Sequence, residues 1–432
     1  MQQPQIKAGI LFAETIQFSF HDPYMFEGRQ YKGAQTVNIY QQKIKMDDLL
    51  YDELHFDPVA TESSFELFNV MIGIGFHWER VENQRFRGSL ILKVIDDKIN
   101  AINALGVEDY LVSVISSEMA ASSSPELLKT HAVISRSWLL KPILNPSQKH
   151  HPTTHATDDT IIRWYERDAH EHFDVCADDH CQRYQGITRI SSEKAADAIA
   201  ATAGLVLMYE NRICDARYYK SCGGATEIFE SCWADESHPY LSPVFDRTEQ
   251  PATAPDLTCE EAAEAWILSS PEAFCNTNNQ HVLGQVLNNY DTETQDFYRW
   301  KVEYSQEELC NLLKLKSGID FGQIMSIRAK NRGPSARITA LKIKGTKRTV
   351  TVGKELEIRK WLSPSHLYSS AFVVKPTDVN DGIPQKFNIY GAGWGHGVGL
   401  CQIGAAMMGE QGYTYEQILT HYFKHGKLEK IY

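Results

Sequence analysis

No stretch of this sequence approaches the roughly 20 consecutive apolar residues that a transmembrane helix needs. Positive charge is also in short supply. Lys and Arg number 43 against 55 Asp and Glu, a formal net charge of −12, so no global field draws the chain to nucleic acid or an anionic membrane. Internal repeats and low-complexity tracts are missing, which excludes a solenoid or a largely disordered chain. So are a GK[ST] phosphate cradle and an HExxH zinc-protease helix. The opening residues, MQQPQIKAGILFAET, lack the basic start and long apolar core of a secretory leader. They lead us to expect a cytoplasmic chain, or a cell-envelope or periplasmic one if a leader has been removed. Nine cysteines, an odd number in a long chain, do not form a disulfide framework.

What is present is an ordinary globular composition, 43% hydrophobic over 432 residues, enough for two domains or one large domain with insertions. Residues 6–20 and 28–45 read as strands, and FNVMIGIGFHWERV and RGSLILKVID alternate apolar and polar in the same way. From Val107 the period becomes helical. A polar His-, Asp- and Cys-rich loop runs from His150 to Gln185, and a helix from Ser192 and strands at Leu205–Tyr209 and through ARYYKSCGG follow. The expected fold is α+β in four parts: a β-rich part at 1–103, a first core half at 104–249, a helical insertion at 250–320 and a second core half at 321–432. Between Arg328 and Lys360 eleven basic residues face two acidic ones, which reads as a solvated sheet face.

The segment VEDYLVSVISSEMAASSSPELLKTHAVISRSWLL carries the first chemical signal. Leu111, Val114 and Ile115 define an inward stripe, and Glu118 lies seven beyond Leu111 and four beyond Val114, on that stripe. A carboxylate held among apolar side chains has its charged form disfavoured, which suits a general acid. Ser124 and Pro125 supply an N-cap and first-turn proline for a second helix, in which Arg136 again falls near an apolar side. A buried structural Glu–Arg pair is the other reading of these two residues.

The loop HEHFDVCADDHCQRYQG supplies the second signal. His170, Cys176, His180 and Cys181 place two imidazoles and two thiols within twelve residues, the donor set of a closed structural Zn²⁺ site, with His172 competing for the first position. A Cys176–Cys181 disulfide is the alternative. A third signal is GAGWGHGVGLCQIGA, Gly391 to Ala405, with six glycines around His396 and Gln402. So many glycines imply positive φ angles or a close approach to the backbone. TYEQILTHYFKHG, opened by a Thr414/Gln417 capping box, reads as a packing helix.

These segments together resemble the SpoIID/LytB domain, the sporulation and amidase-enhancer family. GVEDYLVSVISSEM with HAVISRSW is similar to its first block, and YYKSCGGATE (218–227) to its run of hydroxyl residues, paired glycines and Thr-Glu. RGPSAR (332–337) is similar to its RGxSGR element, and GAGWGHGVGLCQIGA to its GxGxGHGVGxSQxGA signature. The four blocks keep family order from about residue 105 to 432; residues 1–100 and 250–320 match nothing. Cys401 and Cys222 depart from it, Cys401 standing where the family usually has Ser.

The resemblance implies a SpoIID-like core of helices and mainly antiparallel strands. It also implies lyase-type lytic transglycosylation of the MurNAc–GlcNAc bond in peptidoglycan strands stripped of stem peptides, with Glu118 as catalytic acid, Arg136 as a substrate-binding residue and a zinc held by two His and two Cys. On this reading Tyr219, Lys220, Ser221, Thr226 and Glu227 form one wall of a glycan groove. The glycine-rich backbone, with His396 and Gln402 as donors, forms the other. The family also admits a non-catalytic glycan-binding enhancer of a partner N-acetylmuramoyl-L-alanine amidase.

Overall fold

A computed structural model describes residues 3–74, 79–144, 154–165, 170–178, 180–190, 193–251, 253–286 and 296–432. His150 and Ser192, where the expected loop and helix begin, lie outside the described residues. The chain forms two compact units: Met1–Ala121 with Arg167–Leu205 and Lys430–Tyr432, and Ser122–Glu166 with Val206–Glu429. Strands and helices are mixed and the ladders are mostly antiparallel, the expected α+β class.

The first unit is built on β1 (Gln5–Ala13), β2 (Thr15–Phe26), β3 (Arg29–Tyr40), β4 (Lys43–Met46) and β5 (Leu49–Tyr51), followed by β6 (Glu53–Pro58), β7 (Ser64–Ile72), β8 (Arg80–Arg87), β9 (Ser89–Ile95) and β10 (Lys98–Gly106). Neighbours run β1-β10-β9-β6-β2-β3-β4-β5, with β7 paired to both β2 and β8. Alternation explains the layers. In β2, Ile16, Phe18 and Phe20 point inward while Thr15, Gln17 and His21 face out. Phe18, Phe20, Tyr24, Phe56 and Phe65 form a contiguous aromatic core. At the free edge of β1 the two-residue strand Val175–Cys176 adds in parallel, Ala8 opposite Val175 and Gly9 opposite Cys176. Helix α1 (Val107–Glu118) leaves β10 directly.

The second unit opens with α2 (Pro125–Leu144), whose Leu127 N–H is capped by Ser124 Oγ at 3.3 Å. Two sheets follow. One orders Thr154–Ala156, Thr160–Arg163, Thr349–Gly353, Ile338–Gly345 and Ile324–Arg332; the other pairs Ile383–Ala392 with Arg299–Ser305 on one side and Phe372–Asn380 on the other. Leu309, Leu313, Ile343, Trp361 and Ile389 belong to their shared core. The segment 250–320 therefore does more than insert helices: its strand Arg299–Ser305 lies in full register along the strand that ends at Gly391 and Ala392. The strand expected through ARYYKSCGG is shorter than anticipated. Only Tyr218–Tyr219 is extended, pairing with Leu400–Cys401, because Gly223 and Gly224 turn away at positive φ. The Thr414/Gln417 capping box and its helix, Tyr415–Tyr422, are formed as anticipated.

Candidate active site

In the first unit, α1 buries Tyr110, Leu111, Ser113, Val114 and Ile115 and ends at Glu118. Glu118 stands half-buried at the rim of the apolar stripe rather than sealed within it. One carboxylate oxygen accepts a hydrogen bond from the Arg183 backbone N–H at 3.3 Å. The segment that supplies this donor is itself clamped onto α1. The Gln185 N–H donates to Ser113 Oγ at 3.3 Å, Tyr110 donates to Gln182 Oε1 at 3.4 Å, and Tyr184 stacks on Tyr110 with ring centroids 4.8 Å apart. Sequence spacing gave no hint of Arg183.

That clamp continues from the metal-shaped loop. His170, Cys176, His180 and Cys181 offer ligand atoms that all lie within 4.8 Å of one another. His170 Nε2 is 3.4 Å from Cys181 Sγ, and His180 Nδ1 is 3.5 Å from Cys181 Sγ and 3.8 Å from Cys176 Sγ. Hydrogen bonding from Cys181 holds the Cys176 thiol far below its ordinary range, with His170 and His180 acting the same way. This donor set fits Zn²⁺, and His170, stacked on Phe173, takes the place for which His172 competes.

In the second unit the glycine-rich block runs on from Ile383–Ala392, through Leu400–Cys401 and into the helix Gln402–Glu410. Its backbone does approach something closely, but that partner is protein. A Cβ on Gly395 would meet Tyr219 Cβ at 2.8 Å, and one on Gly397 would meet Arg337 Cζ at 2.5 Å. Both residues have positive φ, +97° and +87°. Ser221 and Trp394 exchange backbone hydrogen bonds of 3.0 and 2.7 Å, and the Glu227 N–H donates to Gly397 O at 2.7 Å. Arg337, fully buried, is the hub: it donates to Gly395 O at 3.1 and 3.2 Å, to Cys222 O at 3.3 Å and to Ser335 Oγ at 2.9 Å. RGPSAR is thus a brace for the glycine block.

This architecture buries most of the residues expected to line the groove. Glu227 is 0% exposed and accepts hydrogen bonds from Ile228 N–H, Ser231 Oγ and the backbone and hydroxyl of Ser335. Burial pushes its carboxyl group above the usual range, against the pull of these donors. Thr226 is buried with its Oγ1 taken by the Val244 N–H, and Ser221 is buried in the ladder. His396, partly exposed, has both ring nitrogens engaged: Nε2 faces Tyr218 O at 3.1 Å and Nδ1 accepts from the Val398 N–H at 3.1 Å, which fixes one neutral tautomer. Burial, with Arg217 and Arg337 nearby, holds its pKa well below the ordinary imidazole value.

Gln402 is buried against His131 at 3.2 Å, and burial lowers the pKa of that imidazole to about 3. Arg136 is 0% exposed inside α2, with its Nη1 3.5 Å from Ala132 O. Tyr219 is buried against His396. Lys220 and His396 keep partial exposure, with Lys220 Nζ donating to Val286 O at 2.6 Å. Local motifs identified these residues as a group. They could not say whether each faces solvent or a distant brace.

The Stage II sporulation protein family matches residues 95–209, the span that holds α1, Glu118 and the His/Cys loop. Residues 95–209 thus carry a SpoIID-type domain, similar to those of the SpoIID/LytB family. A second match, a domain of unknown function (DUF8618), covers residues 227–399 and so takes in RGPSAR and most of the glycine block. Among SpoIID/LytB relatives, the chain is 24% identical over 330 residues to the Stage II sporulation protein D of Bacillus amyloliquefaciens, covering 75% of this chain and 74% of that one. It is 23% identical to the protein of the same name from Bacillus subtilis, with the same coverage. It is 24% identical over 327 residues to the amidase enhancer of Bacillus subtilis, spanning 72% of this chain but 39% of that protein. No helix among the described residues is long and apolar enough to cross a membrane.

Proposed function

We propose that this protein acts in cell-wall remodelling of the sporulation type, as a lytic transglycosylase that cleaves the MurNAc–GlcNAc bond of glycan strands denuded of stem peptides. One observation carries the reading: Glu118, in the segment matched to the Stage II sporulation protein family, presents a half-exposed carboxyl group at the end of a rigid helix with one oxygen already oriented by a backbone N–H. One such group suffices for this chemistry. Its protonated form gives a proton to the glycosidic oxygen as the bond to C1 breaks. The resulting carboxylate takes the proton of the C6 hydroxyl, and O6 closes on C1 to form the 1,6-anhydro ring. No water is consumed, so the second carboxylate of a hydrolase is dispensable.

The chain's other residues position this acid. Gln182, Tyr184 and Gln185 hold the Arg183 N–H against it. A zinc bound by His170, Cys176, His180 and Cys181 would supply a structural cross-link at the base of that clamp. A peptidoglycan substrate would put the working compartment in the cell envelope.

Similarity to an amidase enhancer favours a second reading, a glycan-gripping protein that stimulates a partner amidase without cutting. Mass spectrometry of denuded peptidoglycan treated with wild type and Glu118→Gln separates the two. Ends carrying 1,6-anhydro-MurNAc are expected from wild type, with a 10²- to 10⁴-fold loss in the variant. Reducing-end MurNAc would mean hydrolysis. Intact glycan that is nevertheless bound by both forms would leave the enhancer.

A further inference from the structure

Two cysteines that depart from the family pattern, Cys222 and Cys401, come together in the second unit with a third, Cys275, from a weakly patterned stretch, and with Asp246. The three Sγ atoms and a carboxylate oxygen all lie within 4.8 Å of one another, and all four side chains are buried. Cys222 Sγ is 3.3 Å from Cys275 Sγ. We propose that these four residues form a second, closed Zn²⁺ site, distinct from the His/Cys loop.

Three features point there. First, the spacing fits: bonds of about 2.3 Å to sulfur and about 2.0 Å to oxygen in a tetrahedron put ligand atoms roughly 3.5–3.8 Å apart. A disulfide would account for two sulfurs and leave a third thiol and a carboxylate converging on them. Second, backbone N–H groups are aimed at sulfur as acceptor. Cys222 N–H points to Cys401 Sγ at 3.2 Å, and Gly224 N–H to Cys222 Sγ at 3.3 Å. Third, Asp246 is oriented as an outer-shell-supported ligand: Oδ1 accepts from Tyr422 Oη at 2.6 Å and Oδ2 from the Cys275 N–H at 2.9 Å, with His421 Nε2 3.8 Å from Oδ1.

A divalent ion there pairs with the buried carboxylate and releases the thiol protons to solvent. The ligands come from four separate segments, so the ion staples the YYKSCGG run and the start of the Gln402–Glu410 helix to the 246 and 275 loops. Four protein ligands leave no open position, which makes the site structural.

The test counts zinc per chain by native mass spectrometry after purification under reducing conditions with zinc sulfate. The double variant Cys176→Ser/Cys181→Ser, which disables the loop, is expected to retain about one zinc. Adding Cys401→Ser or Asp246→Asn is expected to remove it with the far-ultraviolet circular dichroism preserved. Cobalt chloride loaded into the double variant is expected to give thiolate-to-cobalt charge-transfer absorption. Should the double variant not fold, Cys401→Ser alone is expected to lower the wild-type count by one. A double variant that folds but holds neither zinc nor cobalt, a count unchanged by Cys401→Ser, or peptide mapping that finds Cys222 and Cys275 joined in the purified protein would overturn the proposal.

Discussion

Removing the Glu227 side chain decides between two accounts of the Thr-Glu pair that ends YYKSCGGATE. If Glu227 braces the interior, Glu227→Ala strips an acceptor from Ser231, from Ile228 N–H and from both donors of Ser335, and leaves the buried Arg337 without its neighbouring carboxylate. Breaking a buried charged network by deleting one member costs about 3–5 kcal/mol. The second unit contains about 270 residues and so unfolds with an entropy of about 0.6 kcal/mol/K. Its melting temperature should fall by about 5–9 °C.

The pH dependence supplies an independent sign. Burial raises the folded-state pKa of Glu227 above its ordinary 4.5. A group raised in this way stabilises the fold most below its unfolded value, and that contribution is lost as pH rises through the folded value. The margin of wild type over Glu227→Gln should therefore be largest in acid and shrink toward neutrality. Calorimetry across pH, with retention on denuded peptidoglycan measured alongside, tests both. A Glu227→Ala protein that melts like wild type yet no longer retains glycan would refute this reasoning and return the side chain to a groove wall.

Other outcomes follow from the same geometry. His396 has a folded-state pKa depressed by burial and by Arg217 and Arg337, so its contribution is present above about pH 6.5 and lost as pH falls toward the depressed value. Melting curves at pH 7 and 5 should diverge less for His396→Ala than for wild type. Gly397→Ala should cost about 2 kcal/mol or more, because φ is +87° and the new Cβ meets Arg337 Cζ at 2.5 Å; urea denaturation would reveal it. Cys181→Ser, or chelation of a loop metal, opens a ring of about twelve residues worth about 3 kcal/mol and should lower both the melting temperature of the first unit and turnover. Turnover surviving while stability falls would detach the loop from Glu118.

The sequence made some of this legible because the signals were local. Ser124 and Pro125 mark the start of α2, Thr414 and Gln417 mark the last helix, and two-residue alternation marks the β-rich first unit. The His/Cys loop was visible because its four donors sit within twelve residues. What stayed hidden depends on partners far away in sequence. The partners that hold Glu227 and His396, Ser335 and Tyr218 respectively, lie more than a hundred residues away in sequence. Cys275 carried no spacing signal because its neighbours Cys222, Asp246 and Cys401 come from separate segments. The strand Arg299–Ser305 was masked by the helices on either side of it.

The small strand at Val175–Cys176 has a protective consequence. It covers an outer strand: Asp174 N–H donates to Lys7 O, Asp174 Oδ2 accepts from Lys7 N–H, and Ala177 N–H donates to Gly9 O. Without it, β1 would offer a bare row of amides and carbonyls beside an apolar sheet face, a template for another chain's strand. During synthesis that row stays open until more than 160 further residues have followed β1. The His/Cys loop thus covers the Lys7–Gly9 stretch of that edge, and a chain that loses the loop's fold should aggregate through its first strand before it loses its shape elsewhere.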